Sequence, residues 1–306
     1  MDAGTPVPAA PGGRAHRAAP ASRAWRLWAW CAAALREVGY LVMPSECALC
    51  GAEDQGLCLP CAAQLRRAVA APFRAEGAAD ALMGVAGEVQ LPVMAAGSYR
   101  DALAAAILAF KNHGRTDLGA PLARCLARGL QQMLVDLPPA PAGARNGGSK
   151  AVVLIPIPSS GAGWRRRGFD PVATLLGIMV REGRLPPGVV IVPLLGSRAT
   201  LPWQRRRQKA LGRSARRSNV QGSLKFRPRT ARKFLLTAKP SGYCAVLIDD
   251  VLTTGSTLRE AGKTLGNRGF APMGAVVLAA TQAPQPGGTG GKTHRTRQNQ
   301  YGVKDE

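Results

Sequence analysis

Two adjacent carboxylates precede a hydroxyl-rich turn toward the carboxyl end of the chain. Asp249 and Asp250 follow the apolar run 244–248, and one glycine lies among the four hydroxyl residues that lead into an amphipathic segment. This order predicts a buried strand, an anion-binding turn and a helix. Hydroxyls and main-chain N–H groups at the positive end of a helix dipole suit a phosphate. The predicted phosphate-binding residues are Thr253, Thr254, Gly255, Ser256 and Thr257.

The two acids predict a second part of the same ligand. Beside a phosphate they would repel it, unless the ligand also carries groups that donate hydrogen bonds to carboxylates. A ribose 5-phosphate has both features. An ordinary strand, cap and helix is the alternative, because Thr257 and Glu260 have the spacing of a capping box and two acids at a strand end can bind a metal or face water.

Four cysteines form two CxxC pairs near the amino end. Cys47 with Cys50 and Cys58 with Cys61 have the spacing of a tetrahedral zinc site, and a segment this short has little else to hold a fold. Disulfides are the alternative, but the total of seven cysteines is odd and the other three are scattered singly. Redox or iron–sulfur chemistry also stays open. Zinc with four protein ligands would be structural.

The elements that position these residues alternate between strands and helices in the second half of the chain. Such a βαβ rhythm predicts an α/β fold with a parallel sheet and helices on both faces, plus a small N-terminal zinc-binding element. Ligands of these sheets bind at the carboxyl ends of the strands. The predicted strands are 151–157, 189–195, 245–248 and 273–280, and the predicted helices are 171–181 and 257–267.

The first half predicts helices over 101–110 and 118–134, a pair of short strands at 89–95 and 97–99, and a weakly structured connection over 74–87. Both ends are too polar, or too rich in glycine and proline, to order themselves. The predicted domains are a disordered segment 1–24, an amphipathic helix with the four-cysteine zinc element over 25–75, a main domain over 84–283 and a disordered tail 284–306.

The chain is strongly basic. Lys and Arg number 41 against 18 Asp and Glu, a net charge of +23 in 306 residues, and the segment 198–239 holds fourteen basic residues and no acid. This charge favours phosphates or nucleic acid as partners, although a solvated basic loop is the plain alternative. No apolar stretch is long enough to span a bilayer, so we expect a cytoplasmic protein without a transmembrane segment.

The string from Val246 to Leu258 resembles the ribose-phosphate signature of type I phosphoribosyltransferases. Together with the cysteine pairs, it makes the chain similar to the ComF family, which is associated with DNA uptake in competent bacteria. Where that family usually has Asn-Gln after Arg-Gly-Phe, this chain has Asp170 and Pro171. The other segments that carry the resemblance are 99–101, 107–111, 156–158, 165–169, and the residues Gln208, Leu211, Arg213, Arg216 and 219–222.

The resemblance implies a site for phosphoribosyl pyrophosphate and Mg²⁺, with Asp249 and Asp250 as the catalytic acids. The candidates for holding pyrophosphate, or for closing over it, are Arg167, Arg198, Gln208 and Arg216. Three functions stay open: a transferase with an unknown acceptor, a module that handles single-stranded DNA with a competence-machinery protein as partner, and a sensor that binds phosphoribosyl pyrophosphate without turning it over.

Overall fold

The computed structural model describes residues 46–53, 55–137, 151–198, 222–238 and 243–281. These residues form seven α-helices and eight strands within the described part of the chain. The helices are α1 (Leu59–Ala68), α2 (Asp101–Asn112), α3 (Gly119–Asp136), α4 (Gly161–Arg167), α5 (Pro171–Arg181), α6 (Pro228–Ala238) and α7 (Ser256–Gly266). The strands are β1 (Phe73–Arg74), β2 (Val93–Ser98), β3 (Ala151–Pro156), β4 (Val189–Ile191), β5 (Leu195–Ser197), β6 (Leu224–Phe226), β7 (Tyr243–Leu252) and β8 (Pro272–Ala280).

Six of the strands form one sheet in the order β1-β2-β8-β7-β3-β4. All neighbours run parallel except β1, which pairs antiparallel with β2. The apolar run of β7 is buried on both faces, as expected for a parallel sheet covered by helices. Val246 and Ile248 pack in a core with α2, α3 and α5, while Ala245 and Leu247 pack in a second core with α6 and α7. The expected α/β class is therefore confirmed.

The expected pair of short strands before α2 is wrong. A single strand, β2, covers this stretch and lies parallel to β8 at the centre of the fold. Gly97, which the sequence places at the start of the second short strand, is buried inside β2. A Cβ there would lie 2.4 Å from the carbonyl oxygen of Ala68 at the end of α1, so the glycine permits a close approach of two backbones.

The strand expected over 189–195 is interrupted. β4 ends at Ile191, and Leu195 begins β5, which pairs antiparallel with β6 in a separate two-stranded sheet. Pro193 lies at the break and has no N–H with which to continue the ladder. The connection over 74–87 is also more ordered than expected, because it contains two 3₁₀ turns, 76–78 and 80–82. Ala79 between them and Leu82 in the second are fully buried.

Several expectations lie outside the described residues: both chain ends, the amphipathic helix after residue 24, and most of the basic segment 198–239. Among the helices that the structure describes, none combines the length and apolar character needed to cross a bilayer.

Candidate functional site

The paired acids lie within β7, which continues past them to Leu252. Lys111, at the end of α2, reaches Asp250 with its Nζ 2.9 Å from Oδ2, and both side chains are mostly shielded from solvent. The main-chain N–H of Asp250 donates to Oδ1 of Asp249 at 2.8 Å. The two carboxylates are therefore held differently, one by a lysine and the other by the backbone.

The surroundings of Asp249 also shift its protonation. Burial, followed by the negative charge of Asp250, raises the pKa of Asp249 to about 8, and the nearby Lys111 opposes this shift only in part. At neutral pH Asp249 is then largely protonated, while Asp250 lies against a lysine. The repulsion expected between two acids and a phosphate is reduced accordingly.

The turn after β7 is built to begin a helix. Gly255 has a φ of +76°, a conformation that side chains rarely adopt, and α7 starts at the next residue without a side-chain cap. The hydroxyls of Thr254 and Ser256 lie 2.9 Å apart at the exposed side of the turn. Uncapped amides and hydroxyls at the positive end of a helix dipole can bind a phosphate.

Gly255 is also required by packing. A Cβ at this position would lie 2.6 Å from Cγ of Leu82 and 3.1 Å from Cβ of Ala79, so the close approach is to the 3₁₀ turns and not only to a ligand. The N–H of Ala81 donates to the carbonyl of Thr254 at 3.1 Å, which ties the turn to the same segment. The turn therefore packs against the stretch 76–82 and is hydrogen-bonded to it.

The capping box is not formed. Glu260 does not return to the start of α7 but accepts a hydrogen bond of 2.7 Å from the N–H of Gly222. The plain reading of this segment as a self-capped helix is therefore wrong, and the first turn of α7 keeps its N–H groups for other partners.

The loop after β3 lies beside the same strand end. The N–H of Ile157 donates to the carbonyl of Ile248 at 2.9 Å, just before the acids. Arg167 at the end of α4 donates through Nη2 to Oγ of Ser159 at 3.1 Å, and its Nε is buried without a hydrogen-bond partner among the described residues. A predicted basic residue is thus positioned over this loop.

Asp170 has a structural role here. Its Oδ1 accepts from the N–H of Ala173 at 3.0 Å, which caps α5 in front of Pro171, and its Oδ2 accepts from the N–H of Ser159 at 2.6 Å. The Asp-Pro pair that departs from the ComF pattern therefore fixes the loop after β3 to the start of α5. Its charge also contributes to the raised pKa of Asp249.

Arg198 is not brought into this group. Arg198 is exposed just after β5, where its N–H donates to the carbonyl of Ser223 at 2.8 Å. Gln208 and Arg216 lie outside the described residues. Sequence reasoning missed the role of Lys111, whose sequence signal is only a lysine after an aromatic residue at a helix end.

The four cysteines converge as expected. Their sulfur atoms all lie within 4.8 Å of one another, with Cys47 and Cys58 3.6 Å apart. Tetrahedral zinc with Zn–S bonds of about 2.3 Å needs sulfurs roughly 3.8 Å apart, so the cluster can hold this metal. Burial favours the thiol of Cys47, but the main-chain N–H groups of Cys58, Leu49 and Cys50 outweigh it and lower the pKa to about 6.

Comparison with known proteins agrees with this geometry. Residues 188–293 match the family described as "Phosphoribosyl transferase domain", a stretch that contains β7, the turn and α7. No curated protein matches the chain. The fold and the match together define a phosphoribosyltransferase-like domain, and a four-cysteine cluster that can hold zinc lies on its amino side.

Proposed function

We propose that this protein binds phosphoribosyl pyrophosphate, or a similar sugar phosphate, at the end of β7. The turn 253–257 holds the 5-phosphate, and Asp249 and Asp250 accept hydrogen bonds from the ribose hydroxyls. The observation that carries the proposal is the continuous placement of two acids, a glycine turn and an uncapped helix start inside the matched stretch. Ligands of parallel sheets bind at this edge.

The acid pair fits Mg²⁺, whose preferred ligands are hard oxygen atoms. Asp249 and Asp250 supply four such atoms, and Lys111 is the competing cation at one of them. Held by these carboxylates together with the substrate, Mg²⁺ would supply positive charge against the pyrophosphate. Binding of a cation would also release the proton of Asp249, because a neighbouring positive charge lowers a carboxyl pKa.

If a phosphoribosyl group is transferred, the bond between C1 of the ribose and the pyrophosphate oxygen breaks and positive charge develops on the sugar. Ionised Asp249 and Asp250 stabilise that charge. Arg167 supports the departing pyrophosphate from the loop after β3, and its unpartnered buried Nε is available for an anion. Arg198, Gln208 and Arg216 are the further candidates for this role. The acceptor is an unidentified base or amine.

Calorimetric titration of phosphoribosyl pyrophosphate with and without Mg²⁺ tests the proposal. We expect saturable binding that needs Mg²⁺ and is lost when Asp249→Asn and Asp250→Asn are combined. Asp136→Asn, which removes an exposed acid at the end of α3, is the matched control and should bind normally. Absence of binding by the unmodified protein would refute the proposal.

Pyrophosphate release separates transfer from sensing. A screen of nucleobases and amines as acceptors should yield pyrophosphate if the protein is a transferase. Binding without release for every acceptor would instead identify a sensor of phosphoribosyl pyrophosphate.

The second candidate function is the handling of single-stranded DNA in DNA uptake, together with a competence-machinery protein, as the ComF resemblance suggests. The described part of the basic segment supports it, because five cationic side chains between the middle of β6 and α6 are exposed: Lys225, Arg227, Arg229, Arg232 and Lys233. Such binding should fall steeply with salt.

Fluorescence anisotropy of a labelled single strand tests the second candidate, since salt-insensitive or undetectable binding would remove it. The Asp249→Asn, Asp250→Asn variant discriminates between the two functions, because it should abolish sugar-phosphate binding and leave DNA binding intact.

We further propose a division into a zinc element over 25–75 and a phosphoribosyltransferase-like domain over 84–283, in a cytoplasmic protein. Structural zinc at the four cysteines would stabilise the first unit, since among its described residues the cysteine cluster packs only with Leu49 and Leu57.

A further inference from the structure

A cavity away from the site at the end of β7 lies between α1, which follows the cysteine cluster, and α3 of the main domain. Its volume is about 360 Å³, within the range of small-molecule sites. None of its lining residues belongs to the site at the end of β7. The ligand proposed for the site at the end of β7 therefore does not account for this cavity.

The floor of this cavity is apolar and aliphatic. It includes Leu57, Leu65 and Val69 on one side and Cys125 on the other. Burial raises the pKa of the Cys125 thiol to about 12, so this sulfur stays protonated and acts as an apolar wall. None of the described residues that line the cavity is aromatic, so these residues offer a nucleobase no stacking surface.

Four arginines surround this floor: Arg66 on α1, Arg124 and Arg128 on α3, and Arg184 after α5. One carboxylate, Glu182, pairs with Arg184 and lies 4.0 Å from Arg124. Arg128 donates to the carbonyl of Ala70 at 3.2 Å. In the part of the chain that the structure describes, neither Arg66 nor Arg128 has a carboxylate within ion-pairing distance.

Arginine stems often cover apolar surface while their charged ends stay in water, and this explains single arginines on a helix. It does not explain four guanidinium groups around one cavity. They repel each other, and among the described acids only Glu182 pairs with any of them. A bound anion removes that repulsion, and the planar guanidinium suits a carboxylate or a phosphate.

We propose that the cavity binds an organic anion with an aliphatic body and a carboxylate or phosphate head. The body lies on the floor formed by Leu65, Val69 and Cys125, and the head contacts Arg66 and Arg124. Inorganic phosphate can use only the arginines, so it should bind more weakly. Because α1 and α3 form opposite walls, such a ligand also fastens the cysteine-bearing segment to the main domain.

Calorimetric titration with octyl phosphate, below its micelle-forming concentration, tests this proposal on the full chain. We expect saturable binding that is at least tenfold tighter than that of inorganic phosphate, and at least tenfold weaker in the combined Arg66→Gln, Arg124→Gln variant. Arg67→Gln is the matched control, because Arg67 is exposed on the same helix and does not line the cavity. Octyltrimethylammonium has the same body with the opposite charge and should not bind.

A second variant keeps the test valid if the double arginine variant does not fold. Ala62→Met places a longer side chain at the cavity wall and should weaken octyl phosphate at least tenfold while leaving all four arginines. Equal binding of the anion and the cation, equal binding by Arg67→Gln and the double variant, or no binding by the unmodified protein would overturn the proposal. Titration with phosphoribosyl pyrophosphate is unaffected by these variants if the two sites are separate.

Discussion

Substitution of Gly255 by alanine should damage the turn at the end of β7 through two separate effects. The first is conformational, because the residue has a φ of +76°. The second is steric, because the new Cβ would lie 2.6 Å from Cγ and 3.0 Å from Cδ1 of Leu82. Gly269 provides the matched control, since its φ is +77° and a Cβ there would have no atom within 4 Å.

The magnitudes follow from these two effects. A left-handed conformation costs an alanine about 1 to 2 kcal/mol, and this is the whole loss expected for Gly269→Ala. Overpacking against a buried leucine adds about 1 to 3 kcal/mol. Gly255→Ala should therefore lower the free energy of unfolding by about 2 to 5 kcal/mol, clearly more than the control variant.

Urea unfolding of both variants measures the difference. Combining Gly255→Ala with Leu82→Ala completes a double-mutant cycle, in which the steric part should appear as a favourable coupling of about 1 to 3 kcal/mol. Equal losses for the two glycine variants, with no coupling to Leu82, would refute the conclusion that the turn is packed on the 3₁₀ segment.

Three further predictions concern charge and metal. The folded-state pKa of Asp249, about 8, lies above the unfolded value near 3.9, so the wild type should lose stability as pH rises from 4 to 8. Urea unfolding should therefore show that the stability of Asp249→Asn relative to wild type rises between pH 5 and pH 8, by at most about 4 kcal/mol. The same pH dependence for both proteins would contradict the raised pKa. Lys111→Met leaves the partly shielded Asp250 unpaired and should cost about 1 to 3 kcal/mol in the same assay, whereas Lys263→Met on the exposed face of α7 should change little. Elemental analysis should find one zinc per chain and markedly less in Cys50→Ser, and a zinc-free protein with α1 fully folded would argue against a metal role.

The parts of the site that are local in sequence could be predicted. The order of β7, the turn and α7 follows from an apolar run, a glycine and an amphipathic segment, and α5 was predicted with its observed bounds because Pro171 and the helical spacing mark it. The cysteine cluster follows from ligand spacing alone.

The parts that depend on tertiary contacts could not. Lys111 reaches Asp250 only because α2 covers the sheet beside β7, and no spacing in the sequence encodes that contact. Glu260 does not form the expected capping box, because its carboxylate accepts a hydrogen bond from the main-chain N–H of Gly222. The sequence predicts two short strands around Gly97, because nothing local shows that α1 approaches a continuous strand there.

The most direct test of the central claim is an NMR titration with ribose 5-phosphate that follows main-chain amide signals. A phosphate docked at the start of α7 should move the amides of Ser256, Thr257 and Leu258 most, and ribose without its phosphate should move them far less. Saturable binding that leaves these amides unmoved, or shifts confined to another part of the protein, would contradict the assignment of this turn as the phosphate site.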